Sequence, residues 1–189
     1  MLSTNCLLLF PLLIVPVISA RVPLCQFTVE AFVSSLSTEE SLLQQISALL
    51  PLCEEISEEE ARRHCERNLQ SYWGYLAPNL YTANLDTEAV YQWVCGSDLG
   101  SDACHTCQLR VALLADIMQG EEMVLNMTRQ VQGELFCDME GAWWDVGECQ
   151  GEWEWLMPQI IVQMANFVSQ QSWTMDFCSG PIGVCHLYM

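Results

Sequence analysis

The chain has 189 residues and a formal net charge of −18, with 24 acidic side chains against six arginines and no lysine. Binding to phosphate needs a basic face, so nucleic acid is excluded as a natural partner, and anionic lipid is repelled at neutral pH. Both halves share the sign: residues 21–100 carry twelve acids and four Arg, residues 101–189 twelve acids and two Arg. Carboxylates with an ordinary pKa of about 4 begin to neutralise near pH 5, so acid would lift much of the repulsion; simple solubility is the other use of such a charge.

Residues 1–20 carry no charged side chain, run apolar from Cys6 to Ile18, and end in the small pair Ser19 and Ala20. That pattern predicts a cleaved secretory signal peptide. The run is too short for a comfortable membrane span, and no later stretch is long and apolar enough for one. Without Cys6, ten cysteines remain, an even number that in an exported chain points to disulfides and an oxidising compartment.

Amphipathic segments follow one another with no run of period-two strands, so the expected class is all-α. A first helix is predicted over 24–36, with Phe27, Ala31 and Leu36. Ser37 with Glu40 forms a capping box opening a second helix through Leu42, Leu43, Ile46, Leu49 and Leu50, with a stop near Pro51. Ser57 with Glu60 opens a third, ending at Pro78, and Asp86 with Thr87 caps a fourth that carries Val90, Trp93, Val94 and Cys95. A linker rich in Gly, Ser and Asp covers 96–103. Beyond it helices are predicted near 104–118, 121–136, 144–157, 158–171 and 173–178, with Pro158 either a boundary or a kink within one long helix.

The cysteines repeat. Cys25, Cys53, Cys65 and Cys95 recur as Cys107, Cys137, Cys149 and Cys178, at offsets of 82, 84, 84 and 83 residues. Two units of one crosslinked plan follow, residues 21–95 and 104–186. Cys53 and Cys65 flank one break between helices, as do Cys137 and Cys149, so each pair can close a helical hairpin near its turn. Joining Cys25 to Cys95 and Cys107 to Cys178 would tie first helix to last, each worth about 2 to 4 kcal/mol, the usual range for a disulfide. Cys104 and Cys107 lie three apart on one helical face, with Cys178 and Cys185 at the other end of the unit. Pairing of Cys25 or Cys95 with Cys104 across the linker stays open on spacing alone.

The string Cys104-x2-Cys107-x29-Cys137-x11-Cys149-x28-Cys178-x6-Cys185 resembles the six-cysteine signature of saposin-like (saposin B-type) domains. The first unit resembles the same signature without its outermost pair. The resemblance covers nearly all of residues 22–186 and implies two tandem disulfide-stapled bundles of four or five helices. It also implies the nested bonding Cys104 with Cys185, Cys107 with Cys178, Cys137 with Cys149, Cys25 with Cys95 and Cys53 with Cys65. One staple fewer leaves the ends of the first unit looser, which makes it the expected part to open.

What the resemblance further implies is a clasp whose apolar inner face meets lipid. The candidate contacts are Leu109, Leu113, Ile117, Val124, Val131 and Leu135, with Met157, Ile160, Ile161, Met164, Phe167 and Val168, whose spacings place them on common helical faces. A closed core would use the same residues. Trp143, Trp144, Trp153 and Trp155 alternate with Asp145, Glu148, Glu152 and Glu154, a pattern suited to a headgroup surface once the acids are neutralised, or to a partly buried aromatic cluster. Asn126-Met127-Thr128 is an N-glycosylation sequon.

Cys104-His105-Thr106-Cys107 could read as a redox dithiol or half a zinc site, but the alternation of strands and helices that a thioredoxin-like motif needs is missing. His64 and His186 each stand beside a cysteine with no Ser or Asp constellation, so nucleophilic catalysis, a metal and a cofactor have no support. The expectation is a secreted or lysosomal, non-enzymatic lipid carrier. Its partners would be membrane lipids met peripherally, a lipid hydrolase it activates, and a second copy in a homodimer. A membrane-permeabilising effector is the alternative, against which the absence of lysine argues.

Overall fold

The computed structural model describes residues 18–96, 99, 102–135, 137 and 146–185. The protein is all-α, with two sets of four helices and no strand among the described residues. The first set is α1 (Ile18–Leu36), α2 (Glu39–Glu54), α3 (Glu59–Leu85) and α4 (Glu88–Gly96); the second is α5 (Ala103–Met118), α6 (Glu121–Gln130), α7 (Val146–Val168) and α8 (Gln171–Ser179). The expected signal segment lies outside the described residues up to Val17, and α1 begins at Ile18.

The repeat seen in the cysteines extends to burial. On α1 the buried positions Cys25, Val29, Phe32, Val33 and Leu36 recur on α5 as Cys107, Val111, Leu114, Ala115 and Met118, all at an offset of 82. Spacings of four, three, one and three trace one helical stripe, and the cysteine sets its phase. Five disulfides staple the sets: Cys25–Cys95 and Cys53–Cys65 in the first, and Cys104–Cys185, Cys107–Cys178 and Cys137–Cys149 in the second.

Several boundaries differ from the sequence expectation. The N-cap of α2 is Thr38, whose hydroxyl accepts from Ser41 N at 3.2 Å, while Ser37 Oγ donates back to Val33 O. No side-chain cap forms at Ser57; Glu58 takes the N-cap place of α3. Thr87 does cap α4, its Oγ1 accepting from Val90 N at 3.4 Å.

Pro51 and Pro78, expected to end helices, are carried inside α2 and α3, and Pro158 takes the second of its two expected places, within the one long helix α7. A proline ring displaces the carbonyl four residues back and loosens that turn. After two of them the next side chain repairs the turn: Asn79 Nδ2 donates to Tyr75 O at 2.7 Å, and Gln159 Nε2 to Trp155 O at 3.2 Å. The helix expected over 121–136 instead stops at Gln130, and a wide π-type turn over Val131–Leu135 breaks at Gly133, with φ −101° and ψ −123°. Gln132 and Gln150 bind across this break, each side-chain amide donating to the other's backbone carbonyl at 2.9 and 3.2 Å.

The two sets do not keep separate cores. A single continuous apolar cluster runs from Cys25 to Cys185. The contacts between sets follow the repeat: α2 packs on α7, and their counterparts α6 and α3 pack together in turn. The contact of α4 with α5 has its counterpart in Phe32 of α1, which meets Trp173 and Phe177 of α8. Each type of contact occurs twice with roles exchanged, the pattern of an isologous dimer built within one chain.

Candidate functional site

Because the contacts between the sets occur in pairs, so do the hollows beside them. One groove of about 410 Å³ is lined by Val90 and Trp93 of α4, Asn84 at the end of α3, Ile117 of α5, and Met123 and Asn126 of α6. The other, about 290 Å³, is lined by Ser35, Ser41 and Gln44 from the first set and by Trp173, Asp176 and Phe177 of α8. The offset of 82 carries Ser35, Ser41 and Gln44 onto Ile117, Met123 and Asn126; an offset of 83 carries Val90 and Trp93 onto Trp173 and Asp176. They are one groove made twice, with diverged linings.

The divergence is steric. In the smaller groove Trp173 stacks on Phe177 with centroids 5.4 Å apart, and Phe32 meets their edges at 5.5 and 5.9 Å. Val90, Val94 and Leu114 stand at the equivalent positions; of these Val90 lines the larger groove, where it is far shorter than Trp173. Trp93 on its wall is 55 % exposed. A direct polar tie between the sets lies nearby: Asn84 Nδ2 donates to Gln130 Oε1 at 2.7 Å as well as to Leu80 O.

The candidate lipid contacts fall into three groups. Ile161, Met164 and Val168, with Val131, Met157, Ile160 and Phe167, are buried, and Val124 is half-buried against the core. Leu109 and Leu113 are half-buried on the flank of α5, whose inward face is Val111, Leu114, Ala115 and Met118; Ile117 enters the larger groove. The apolar stripe chosen in the sequence was thus one of two on α5, and registering Cys107 on Cys25 would have picked the inward one. Trp144, with Trp143 and Asp145, lies outside the described residues, as do the side chains of Leu135 and Glu148. The tryptophan segment splits: Trp153 is core, and Trp155, 47 % exposed, faces a small hollow shared with Ile56 and Ala61 of the first set. Trp153 shares the inward face of α7 with Leu156 and Met157, which withdraws it from any headgroup surface.

The sequon sits in mid-helix. Asn126 is exposed on α6, whereas Thr128 is buried, its hydroxyl donating to Val124 O at 2.7 Å. Cys104 and Cys107 are both in disulfides, so the pair holds no free dithiol, and His105 between them is exposed. No cluster of His, Cys, Asp and Glu suited to a metal occurs among the described residues, and none of their helices is long and apolar enough to cross a membrane.

Sequence reading missed the polar centre of the first set. Gln45, fully buried on α2, donates from Nε2 to Leu36 O at 2.8 Å and to Ser41 Oγ at 3.0 Å; its Oε1 accepts from Trp73 Nε1 at 2.9 Å and Tyr81 OH at 3.0 Å. All four capacities of the amide are used. Burial pushes the Tyr81 phenol well above its ordinary range. In the second set the same three places hold Met127, Met157 and Ala165, all buried, with no polar atom to satisfy beyond the backbone. On α5, Arg110 has its Nε buried without a hydrogen-bond partner, and burial lowers its pKa.

Comparison with protein-family models, with curated proteins and with solved structures finds no match to this chain.

Proposed function

We propose that this chain is a tandem saposin-like protein of the secretory pathway that binds membrane lipid between its two helical sets. It extracts or presents that lipid, to a lipid hydrolase among other takers, in an acidic compartment. The observation that carries the reading is the shared core. Apolar faces of the two sets close on each other, and the faces that pack in this state are the ones that acyl chains would replace once the sets part.

The second set is the adaptable partner. Met118, Met127, Met157 and Met164 line its interior, and unbranched thioether side chains repack around irregular guests at low cost. Phe27, Leu43, Leu125 and Trp155 are exposed apolar side chains available for first contact with a bilayer. A net charge of −18 opposes approach at neutral pH, and its partial neutralisation near pH 5 relieves that opposition.

The test uses the full chain exported from a eukaryotic cell, incubated with fluorescent phospholipid in neutral liposomes at pH 5 and pH 7. Transfer into a protein-bound fraction at pH 5, weaker at pH 7 and without dye leakage, is the expected result. No protein-bound lipid at either pH sinks the reading, and leakage without transfer replaces the carrier with a permeabilising effector.

A further inference from the structure

The larger groove lacks the aromatic filling that its twin has, and it carries the sequon instead. Trp173 and Phe177, backed by Phe32, narrow the smaller groove from within the chain to about 290 Å³. Gln44, at the place equivalent to Asn126, begins Gln44-Gln45-Ile46 and is no acceptor. In the larger groove Val90 replaces the tryptophan, Trp93 stands 55 % exposed, and Asn126 lines the same hollow from the opposite helical set. We propose that an N-linked glycan on Asn126 occupies this groove, its first sugars laid against the Trp93 indole, and that it clips the two helical sets together.

The chemistry of the lining fits a sugar. A pyranose ring presents an apolar C–H face that packs on an indole, while its hydroxyl and acetamide groups need polar neighbours, which Thr87 and Glu122 supply on the lining. About 410 Å³ lies within the range of small-ligand sites. Attachment at Asn126 keeps the sugar at an effective concentration on the order of millimolar, so a contact with Trp93 and its polar neighbours of sub-millimolar strength is enough to hold it. A membrane lipid has no such tether here.

Transfer from a lipid-linked diphosphate oligosaccharide forms the bond between Asn126 Nδ2 and the sugar C1. The C1–O bond to the diphosphate breaks, the lipid diphosphate leaves with that electron pair, and the amide proton passes to a base of the transferase. The Thr128 hydroxyl is committed to Val124 O in the folded helix, so the transfer precedes folding of α6. Once folded, the glycan joins α6 to α4 across the wider of the two grooves, and parting of the two sets must first peel it away. This rests on the export reading above and adds a restraint on the opening it requires.

The test compares the exported chain with Asn126→Gln from the same cells, and with the exported chain after enzymatic release of the glycan, all without lipid. Glycopeptide mass spectrometry reads occupancy, and tryptophan-selective surface labelling reads Trp93 and Trp155 separately. The expected result is an occupied Asn126, with Trp93 labelled about fivefold less in the glycosylated chain than in either comparison and Trp155 unchanged. An unoccupied Asn126, equal labelling of Trp93, or an equal drop at both tryptophans overturns the proposal. Lipid transfer is not read, so the fate of the carrier reading is decided separately.

Discussion

The first helical set has two disulfides and a polar centre; the second has three disulfides and a methionine-rich one. The same fold plan is therefore restrained in two ways. In the first set a single glutamine draws together the end of α1, the start of α2 and two aromatic side chains of α3, and such a satisfied buried network specifies one arrangement. In the second set the chain ends are doubly tied while the interior is left to soft apolar contact. Cysteine count alone ranks the first set as the looser; counting hydrogen bonds adds a restraint there that the equivalent places Met127, Met157 and Ala165 do not supply.

The sharpest way to break this contrast is Gln45→Leu, which strips Trp73 Nε1, Tyr81 OH and Leu36 O of a buried partner. At roughly 1 to 3 kcal/mol for each orphaned group, partly relieved by relaxation, the expected loss is about 4 kcal/mol in denaturant unfolding. A loss under about 1 kcal/mol would show that the network restrains nothing. Next comes the double change Cys104→Ala with Cys185→Ala, which reduces the second set to the crosslinks of the first. Since Cys107–Cys178 already closes the long loop, only a short additional loop is freed, and the expected cost is about 2 to 3 kcal/mol by the chain-entropy estimate. A cost equal to that of losing the long loop outright would mean the two bonds act independently.

Tyr81→Phe removes one of two donors to Gln45 Oε1 and should cost about 1 kcal/mol at neutral pH. It also tests the alkaline limb. The folded pKa of Tyr81 is raised, so its contribution is complete below the unfolded value of about 10 and is lost as pH rises towards the folded one. Unfolding midpoints followed from pH 8 to pH 11 should fall less steeply in the variant than in the parent; equal slopes would place the alkaline loss elsewhere. No larger than the cost of Tyr81→Phe should be that of Met157→Leu at the place equivalent to Trp73, expected at or below about 1 kcal/mol because the site is apolar and the two side chains are close in volume. A larger effect there would make the second core as tightly specified as the first.

Much of this was legible before any coordinates. The all-α class, the positions of most helices and their grouping in two crosslinked sets follow from apolar periodicity and cysteine spacing, both local or repeated signals. Helix ends were less legible: Pro51 and Pro78 read as stops, yet neighbouring packing carries both helices through them, with Asn79 repairing the second. The role of Gln45 was invisible because its four partners lie up to 36 residues away and a Gln-Gln pair on an amphipathic helix looks like a solvent face. On α5 two apolar stripes competed, and only burial chose between them.

By itself the sequence determined the repeat, the class and the charge, since each is carried by residue identity and spacing along the chain. Tertiary structure alone decided that the two sets share one core, that their contacts occur in exchanged pairs, and that of two equivalent grooves one is narrowed by Trp173 and Phe177 while the other is wider beside Trp93 and Asn126. The reason is that an apolar face does not encode what covers it. A lipid, a second copy or the other half of the same chain would bury it equally well, and the choice depends on side-chain shapes meeting across elements far apart in sequence.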